Sequence, residues 1–313
     1  MEFRVLRYFL AVAREESISR AAEFLHVTQP NLSRQMQNLE DEVGQSLLIR
    51  GKRKIGLTDA GSLLRKRAEE ILELYEKTET ELLSPQDEIC GDVCIGGGES
   101  YAMQLIARTI KEIQAEHPKV KFHLFSGDTC DVTERLDKGL IDFGILIEPA
   151  DLSKYNYLRL PLTDVWGVLV RKDSPLAEKR AVSPGDLKGA PLIRSRHTMC
   201  KNEISAWFGA GGEKMNVVAT YNLIYNASLM VEEGIGYAVC LDKLVNTTGD
   251  SDLCFRPFAP RLESHLDIAW KKYTVFSKAG ELFLQRLREK LCFFFLWKGK
   301  RSPQKRESTR RKA

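Results

Sequence analysis

The tightest constraint in this chain is the stretch His26-Val-Thr-Gln-Pro30, where a threonine suited to begin a helix is followed by glutamine and then proline. Proline has no backbone N–H to give, so within a helix it belongs in the first turn, where that donor has no intrahelical partner anyway. A helix therefore starts at Thr28 and runs forward. Its apolar residues Leu32, Met36, Leu39 and Val43 fall four, three and four apart on one face, and Gly44 suits the C-terminal cap. Upstream, Phe3, Leu6, Phe9, Leu10 and Ala13 recur at helical spacing, and Ser17 then caps a short helix reaching about Leu25. Three short helices with a tight turn before the third predict a helix-turn-helix, whose last element enters the DNA major groove N-terminus first.

That geometry nominates DNA contacts. Ser17 stands at a helix start, and Thr28, Gln29, Pro30, Asn31, Ser33, Arg34 and Gln37 lie at the start of the third helix or largely off its apolar stripe. Amides and hydroxyls at a helix start bond phosphates or base edges, and Arg34 has the fork that grips guanine. On composition alone Arg34 would be a solvated surface arginine; its place after the turn favours the contact. Leu47 to Ile49 and Ile55 to Leu57 read as two short strands around a basic turn, Arg50-Gly-Lys52-Arg53-Lys54, hence a winged hairpin. Its cations belong over the phosphate backbone, binding without regard to sequence and more weakly as salt rises.

Thr58 caps a long helix to about Ser84, along which Leu64, Ala68, Ile71, Tyr75, Thr78 and Leu82 alternate four and three apart. Such a seam asks for a partner helix, so dimerisation is expected through Leu64, Ala68, Ile71, Tyr75 and Leu82. Pro85 ends the helix. From Cys90 strands and helices alternate, which predicts an α/β unit with a doubly wound parallel sheet. A second round begins near Val165, so two lobes are expected. The expected division is 1–58 for the winged head, 59–88 for the linker helix, 89–292 for the α/β unit and 293–313 for a basic, disordered tail. Within the α/β unit, lobe I takes about 89–161 and 266–292, and lobe II about 162–265.

Charge is nearly balanced, with 47 Lys and Arg against 43 Asp and Glu, so the argument for nucleic acid rests on local geometry. Eight basic residues crowd Lys298 to Lys312 against Glu307 alone, leaving the rest of the chain mildly acidic. The seven cysteines are scattered and odd in number, which suits free thiols in a reducing cytoplasm. Cys90 and Cys94 have no second ligand pair, so no metal is expected, and no cofactor. The start has no apolar leader core and no stretch approaches a membrane span. An enzyme on the same framework is the rival reading. No Gly-x-Ser-x-Gly elbow or phosphate loop occurs, however, and the five histidines lack catalytic spacing. Gly96-Gly97-Gly98 is read as a close-packed strand end. A third reading is an architectural DNA binder whose lobes only oligomerise.

The sequence resembles the LysR-type transcriptional regulator family through Phe9, Ser17, Ala21-Ala22, Leu25, Thr28-Gln29-Pro30, Ser33, Leu39-Glu40, Gly44, Leu47, Arg50 and Leu57-Thr-Asp-Ala-Gly61. A looser match reaches about Leu291 through Gly91-Asp-Val-Cys-Ile-Gly96, Gly139-Leu-Ile-Asp142 and Val231-Glu-Glu-Gly-Ile-Gly236. Leu48 stands where phenylalanine is usual, Leu241-Asp242 replaces Leu-Pro, and the basic tail has no counterpart. The resemblance implies an all-α winged head with a pairing linker helix, followed by two α/β lobes like a periplasmic solute-binding protein. It also implies a dimer of dimers on double-stranded promoter DNA, contact with RNA polymerase in an activator, and a small-molecule effector between the lobes. Ser100 and Thr129, each at a helix start, are the implied effector contacts on lobe I, with Tyr101 beside Ser100. Arg194, Ser195 and Arg196 follow a lobe II strand and suit an anionic co-inducer. Peroxide-sensing relatives carry a reactive cysteine near Cys200 and a second some residues later. Here Trp207, Phe208 and Gly209 fill that later place, so no thiol switch is expected.

Overall fold

The computed structural model describes residues 1–51, 54–83, 88–196, 202–209 and 215–300, with Lys52, Arg53 and Cys200 outside them. The chain divides into two compact units, Met1–Ser84 and Pro85–Ala313.

The first unit holds α1 (Phe3–Glu15), α2 (Ile18–Phe24), α3 (Gln29–Val43), a hairpin of β1 (Leu48–Arg50) and β2 (Ile55–Leu57), and α4 (Asp59–Leu83). Phe9, Val12, Ala21, Ala22, Leu32, Met36, Leu39 and Leu47 close one core. The apolar stripe of α3 stops a turn earlier than its spacing suggested: Val43 is exposed. Thr28 occupies the N-cap position with extended backbone, yet its side chain makes no capping bond. Pro30 removes one of the two amides that a capping oxygen can accept from, and the other belongs to Asn31. Glu40 ties α3 to the wing, its Oε1 accepting from the amides of Leu47 (2.7 Å) and Leu48 (2.9 Å). Thr58 does the same for α4: its hydroxyl donates to Ser46 O (2.8 Å) and accepts from Gly61 N (2.9 Å).

The expected pairing seam of α4 is divided. Ala68 is fully buried against Leu6 of the same chain, with Leu72 beside it and Leu64 packed on both clusters. Tyr75 packs against Phe3, ring centroids 4.5 Å apart and planes tilted by 32°. Ala68, Leu64 and Tyr75 are thus drawn toward α1. Leu63, Ile71, Leu74 and Leu82 remain exposed on an adjoining face. An ideal heptad count could not see this, because α1 claims a stripe that the count assigned to a partner.

The second unit is built on a nine-stranded sheet in the order β4-β3-β5-β11-β6-β9-β7-β8, with β10 also on β6. Its elements are β3 (Gly91–Gly97), α5 (Met103–Glu116), β4 (Val120–Ser126), α6 (Thr129–Asp137), β5 (Phe143–Ile147), β6 (Tyr155–Arg171), β7 (Leu192–Ser195), α7 (Asn202–Phe208), β8 (Val217–Tyr221), α8 (Ile224–Glu232), β9 (Tyr237–Leu241), β10 (Leu253–Pro257), β11 (Glu263–Lys271) and α9 (Lys278–Lys300). Parallel pairing joins β3, β4 and β5 in one lobe and β7, β8 and β9 in the other. The sheet as a whole is mixed, not fully parallel as the alternation predicted. Its two crossing strands, β6 and β11, pair antiparallel to each other and to their other neighbours.

β6 is 17 residues long, and its first half was not foreseen because Pro161 lies inside it. Proline is tolerated there because the ladder breaks: the register of β11 shifts between His265 and Asp267, so Leu160, Pro161 and Leu162 face Leu266 alone. The lobes are therefore joined by this irregular pair of strands. α9 runs to Lys300, so the helix continues past the point where a tail from 293 was expected; residues 301–313 lie outside the described ones.

Candidate functional site

At the head of the molecule, α2 and α3 present their polar faces outward. Ser17 caps α2, its Oγ accepting from Arg20 N at 3.4 Å. Thr28, Gln29, Pro30, Asn31, Arg34 and Gln37 are exposed, and Ser33 is half-buried. They lie around the start of α3 while Leu32, Met36 and Leu39 are buried behind them. Freed from capping, the Thr28 hydroxyl stays with this exposed group. On the wing Arg50 is exposed, while Lys54 is ion-paired with Glu16, the left-handed residue that ends α1. The wing is anchored there also by Ile55 N, which donates to Glu16 O at 2.9 Å.

In the second unit a cleft of about 730 Å³ opens between the lobes. Lobe I contributes Glu99, Asp128, Thr129 and Glu148. Lobe II contributes Trp166, Ser195, Tyr221, Ile224 and Leu241. Of the expected effector contacts, Thr129 and Ser195 line this cleft. The remaining expected contacts are not on this cleft. Arg194 is buried, its Nη1 directed to Met215 Sδ at 3.7 Å, and Arg196 is exposed beyond the strand. Tyr101 sits beneath Lys243, whose Nζ is 5.1 Å from the ring centroid. Together with Ser100 it lines a second hollow of about 820 Å³.

Ser100 is occupied by structure. Its Oγ accepts from Ala102 N at 3.0 Å and its hydroxyl bonds the carboxylate of Asp164. Asp164 sits on β6, 1% exposed, with Oδ2 lacking a hydrogen-bond partner among the described residues. Burial pushes its pKa up from the ordinary 3.8 to about 6, reinforced by nearby Asp242 and opposed by Ser100, Lys243 and the Tyr101 amide. Asp242 explains a departure from the family pattern: its amide donates to Val165 O (2.9 Å) and its Oδ1 accepts from Val165 N (3.0 Å). A proline there could not make the first bond.

The raised pKa means the fold holds the Asp164 proton more tightly than the unfolded chain does. Its stabilising contribution is complete below about pH 3.8 and lost as pH rises through about 6, up to ~3 kcal/mol. Asp164→Asn is expected to raise the melting temperature at pH 7.5 and to flatten the fall in stability between about pH 4 and 6. Thermal unfolding across that range checks it, and an unchanged slope would refute the assignment.

Among the described lining residues of the cleft there is no lysine or arginine, and there are three carboxylates. Sequence reasoning missed Glu99, Trp166 and Tyr221. Glu99 had a legible signal, since it follows the Gly96-Gly97-Gly98 strand end at a switch point of the sheet. Those glycines are close-packed as expected: a Cβ on Gly96 would lie 2.6 Å from Ile141 Cδ1. Trp166 and Tyr221 come from different strands, a convergence that only folding creates.

A winged helix-turn-helix head combined with a two-lobed α/β ligand cleft defines a DNA-binding sensor. Residues 3–62 match the model of the bacterial regulatory helix-turn-helix proteins of the lysR family, and residues 86–292 match the LysR substrate binding domain. The chain belongs to the LysR family of DNA-binding transcriptional regulators, with a binding domain for a small-molecule effector. It is 31% identical over 281 residues to the Hca operon transcriptional activator HcaR of Escherichia coli K12, covering 87% of this chain and 92% of that protein. It is 29% identical over 209 residues to the activator IlvY of Salmonella typhimurium, covering 66% and 71%. The fold is like that of full-length CbnR complexed with its target DNA, with a TM-score of 0.73 at 21% identity, covering 92% of this chain and 99% of that one. No described helix is long and apolar enough to cross a membrane.

Proposed function

We propose that this regulator reads promoter DNA through the start of α3, with Arg34 and Gln37 on base edges and Thr28, Gln29, Asn31 and Ser33 on bases or phosphates. Pro30 shapes the turn, and Ser17, Arg50, Lys52, Arg53 and Lys54 lie along the backbone. The observation that carries this reading is the division of α3 into a buried stripe of Leu32, Met36 and Leu39 and an exposed polar start. Likeness of fold to CbnR, a protein solved in complex with its target DNA, supports it.

Two chains pair through the exposed apolar face of α4, where Ile71 and Leu82 of the expected seam are joined by Leu63 and Leu74. Two such pairs form a dimer of dimers acting in the cytoplasm. The α/β unit begins after α4, and an effector seated between its lobes shifts the population between two arrangements. In the activating arrangement the assembly contacts RNA polymerase.

Footprinting of the full chain on the DNA upstream of its own gene tests the reading. The expected result is protection of two half-sites, with affinity falling steeply from 50 to 200 mM salt, on the order of 10³-fold for six or more phosphate contacts. Binding no tighter than to random DNA of equal length would overturn it.

A further inference from the structure

The N-terminus of α8 is the feature that departs furthest from what an effector cleft for carboxylates would present. Its N-cap residue is Leu223, which has no side-chain acceptor, and no side-chain capping bond is formed by that residue. The first helical amide, Ile224 N, is satisfied instead by the carboxylate of Glu99, which reaches across from the other lobe, 125 residues away in sequence. A carboxylate at a helix N-terminus is the arrangement that the helix dipole and its unpaired amides favour. Here the chain itself provides it.

Glu99 is half-buried on the cleft wall, and its bond to Ile224 uses Oε2 only. Burial raises its pKa above the ordinary value and the Ile224 amide opposes that shift. Among the described lining residues the other charged groups, Asp128 and Glu148, have the same sign. Asp128 caps α6, accepting at Oδ1 from Cys130 N (2.8 Å) and Asp131 N (3.0 Å). Glu148 is ion-paired with Arg159, but that arginine also serves the fully buried Asp267, so one cation answers two carboxylates. Around these acids the wall is apolar and aromatic, with Trp166, Tyr221, Ile204 and Leu241. The polar tips of both aromatics point elsewhere: Trp166 Nε1 donates to Ser264 Oγ at 2.7 Å and the Tyr221 hydroxyl to Val239 O at 2.6 Å.

We propose that Glu99 permanently occupies the anion position of the inter-lobe cleft, and that the cleft therefore takes an organic amine with an apolar or aromatic body. The ammonium lies between Glu99 Oε1 and the Asp128 side of the cleft, and the body rests on Trp166 and Leu241. A ligand carboxylate is refused because Glu99 already holds the first amide of α8 and the neighbouring carboxylates repel a second anion. This rests on the reading of the cleft as the effector site.

The test uses the full-length chain, two probes matched in body and opposite in charge, 2-phenylethylamine and phenylacetate, and amide hydrogen exchange as the readout. In the native chain, 2-phenylethylamine is expected to slow exchange at Ile224 and the following amides of α8 at least tenfold, and phenylacetate to leave it unchanged. In Glu99→Ala, exchange at Ile224 is expected to quicken at least tenfold, and acetate or phenylacetate at millimolar concentration to restore protection, while the amine loses its effect. Protection of the native chain by phenylacetate overturns the ligand chemistry and keeps the site. An amine without effect on the native chain, or a Glu99→Ala chain that gains nothing from carboxylates, overturns the proposal outright. Protection by either probe at Leu124 to Ser126, on the second hollow, overturns the placement of the effector site itself. DNA binding is read separately, so none of these outcomes is confused with a failure of the regulator reading.

Discussion

Arg34→Ala is expected to bind operator DNA about 5- to 150-fold more weakly than the native chain, the loss set by ~1–3 kcal/mol for a two-pronged contact to one base. Discrimination should relax at a single position of the half-site, and the salt dependence should change little, because a base contact carries sequence information that a phosphate contact does not. The melting temperature should stay the same. Arg34 is exposed, and the buried stripe of α3 runs through Leu32, Met36 and Leu39 without it. Gel-shift titrations on native and base-substituted sites, with a melting curve for each variant, check both halves. A variant that binds its own promoter as tightly and selectively as the native chain would remove α3 as the reading helix.

Gly61→Ala is expected to destabilise the head by about 1–3 kcal/mol, toward the upper end of what overpacking costs, because the obstruction is backbone and not a flexible side chain. A Cβ on Gly61 would fall 2.1 Å from the carbonyl oxygen of Leu47 and 3.0 Å from its carbon. Relieving that clash moves the first turn of α4 away from the wing. It strains the bonds that hold the two together: Thr58 N to Leu47 O (3.1 Å), Thr58 Oγ1 to Ser46 O, and Gly61 N to Thr58 Oγ1. For a head of this size a melting temperature lower by on the order of 10 °C follows. Gly56→Ala is the control. Its Cβ would meet only Ile49 Cβ, at an ordinary 3.8 Å, so its melting curve should match the native chain's.

How far each unit was legible depends on the range of the interactions that build it. In the head, the turn at Thr28 to Pro30, the stripe of α3 and the cap at Thr58 are local patterns, set by residues within a turn or two of each other. The third helix and the wing stand where those patterns put them. What escaped there were competitions between local rules. Thr28 stands at the N-cap without a capping bond, and α1 covers the side of α4 that carries Ala68.

In the α/β unit the alternation of strands and helices announced two lobes, but Pro161 concealed half of the strand that joins them. The effector contacts fared unevenly for a related reason. Thr129 and Ser195 lie at element ends that face the cleft, whereas Ser100 and Arg194, also near element ends, are turned to Asp164 and to Met215. Position along a strand or helix does not say which way a side chain turns once the lobes meet.

The Thr28-Gln29-Pro30 turn and the periodicity after it determined by themselves that this chain carries a helix-turn-helix head, because helix initiation and amphipathic burial are decided over a few residues. The sign and shape of the ligand cleft were decided only by the tertiary structure. Glu99, Asp128, Glu148, Trp166 and Tyr221 come from separate elements of two lobes. Their charges and surfaces line one cleft only after the crossing strands β6 and β11 have brought those lobes together.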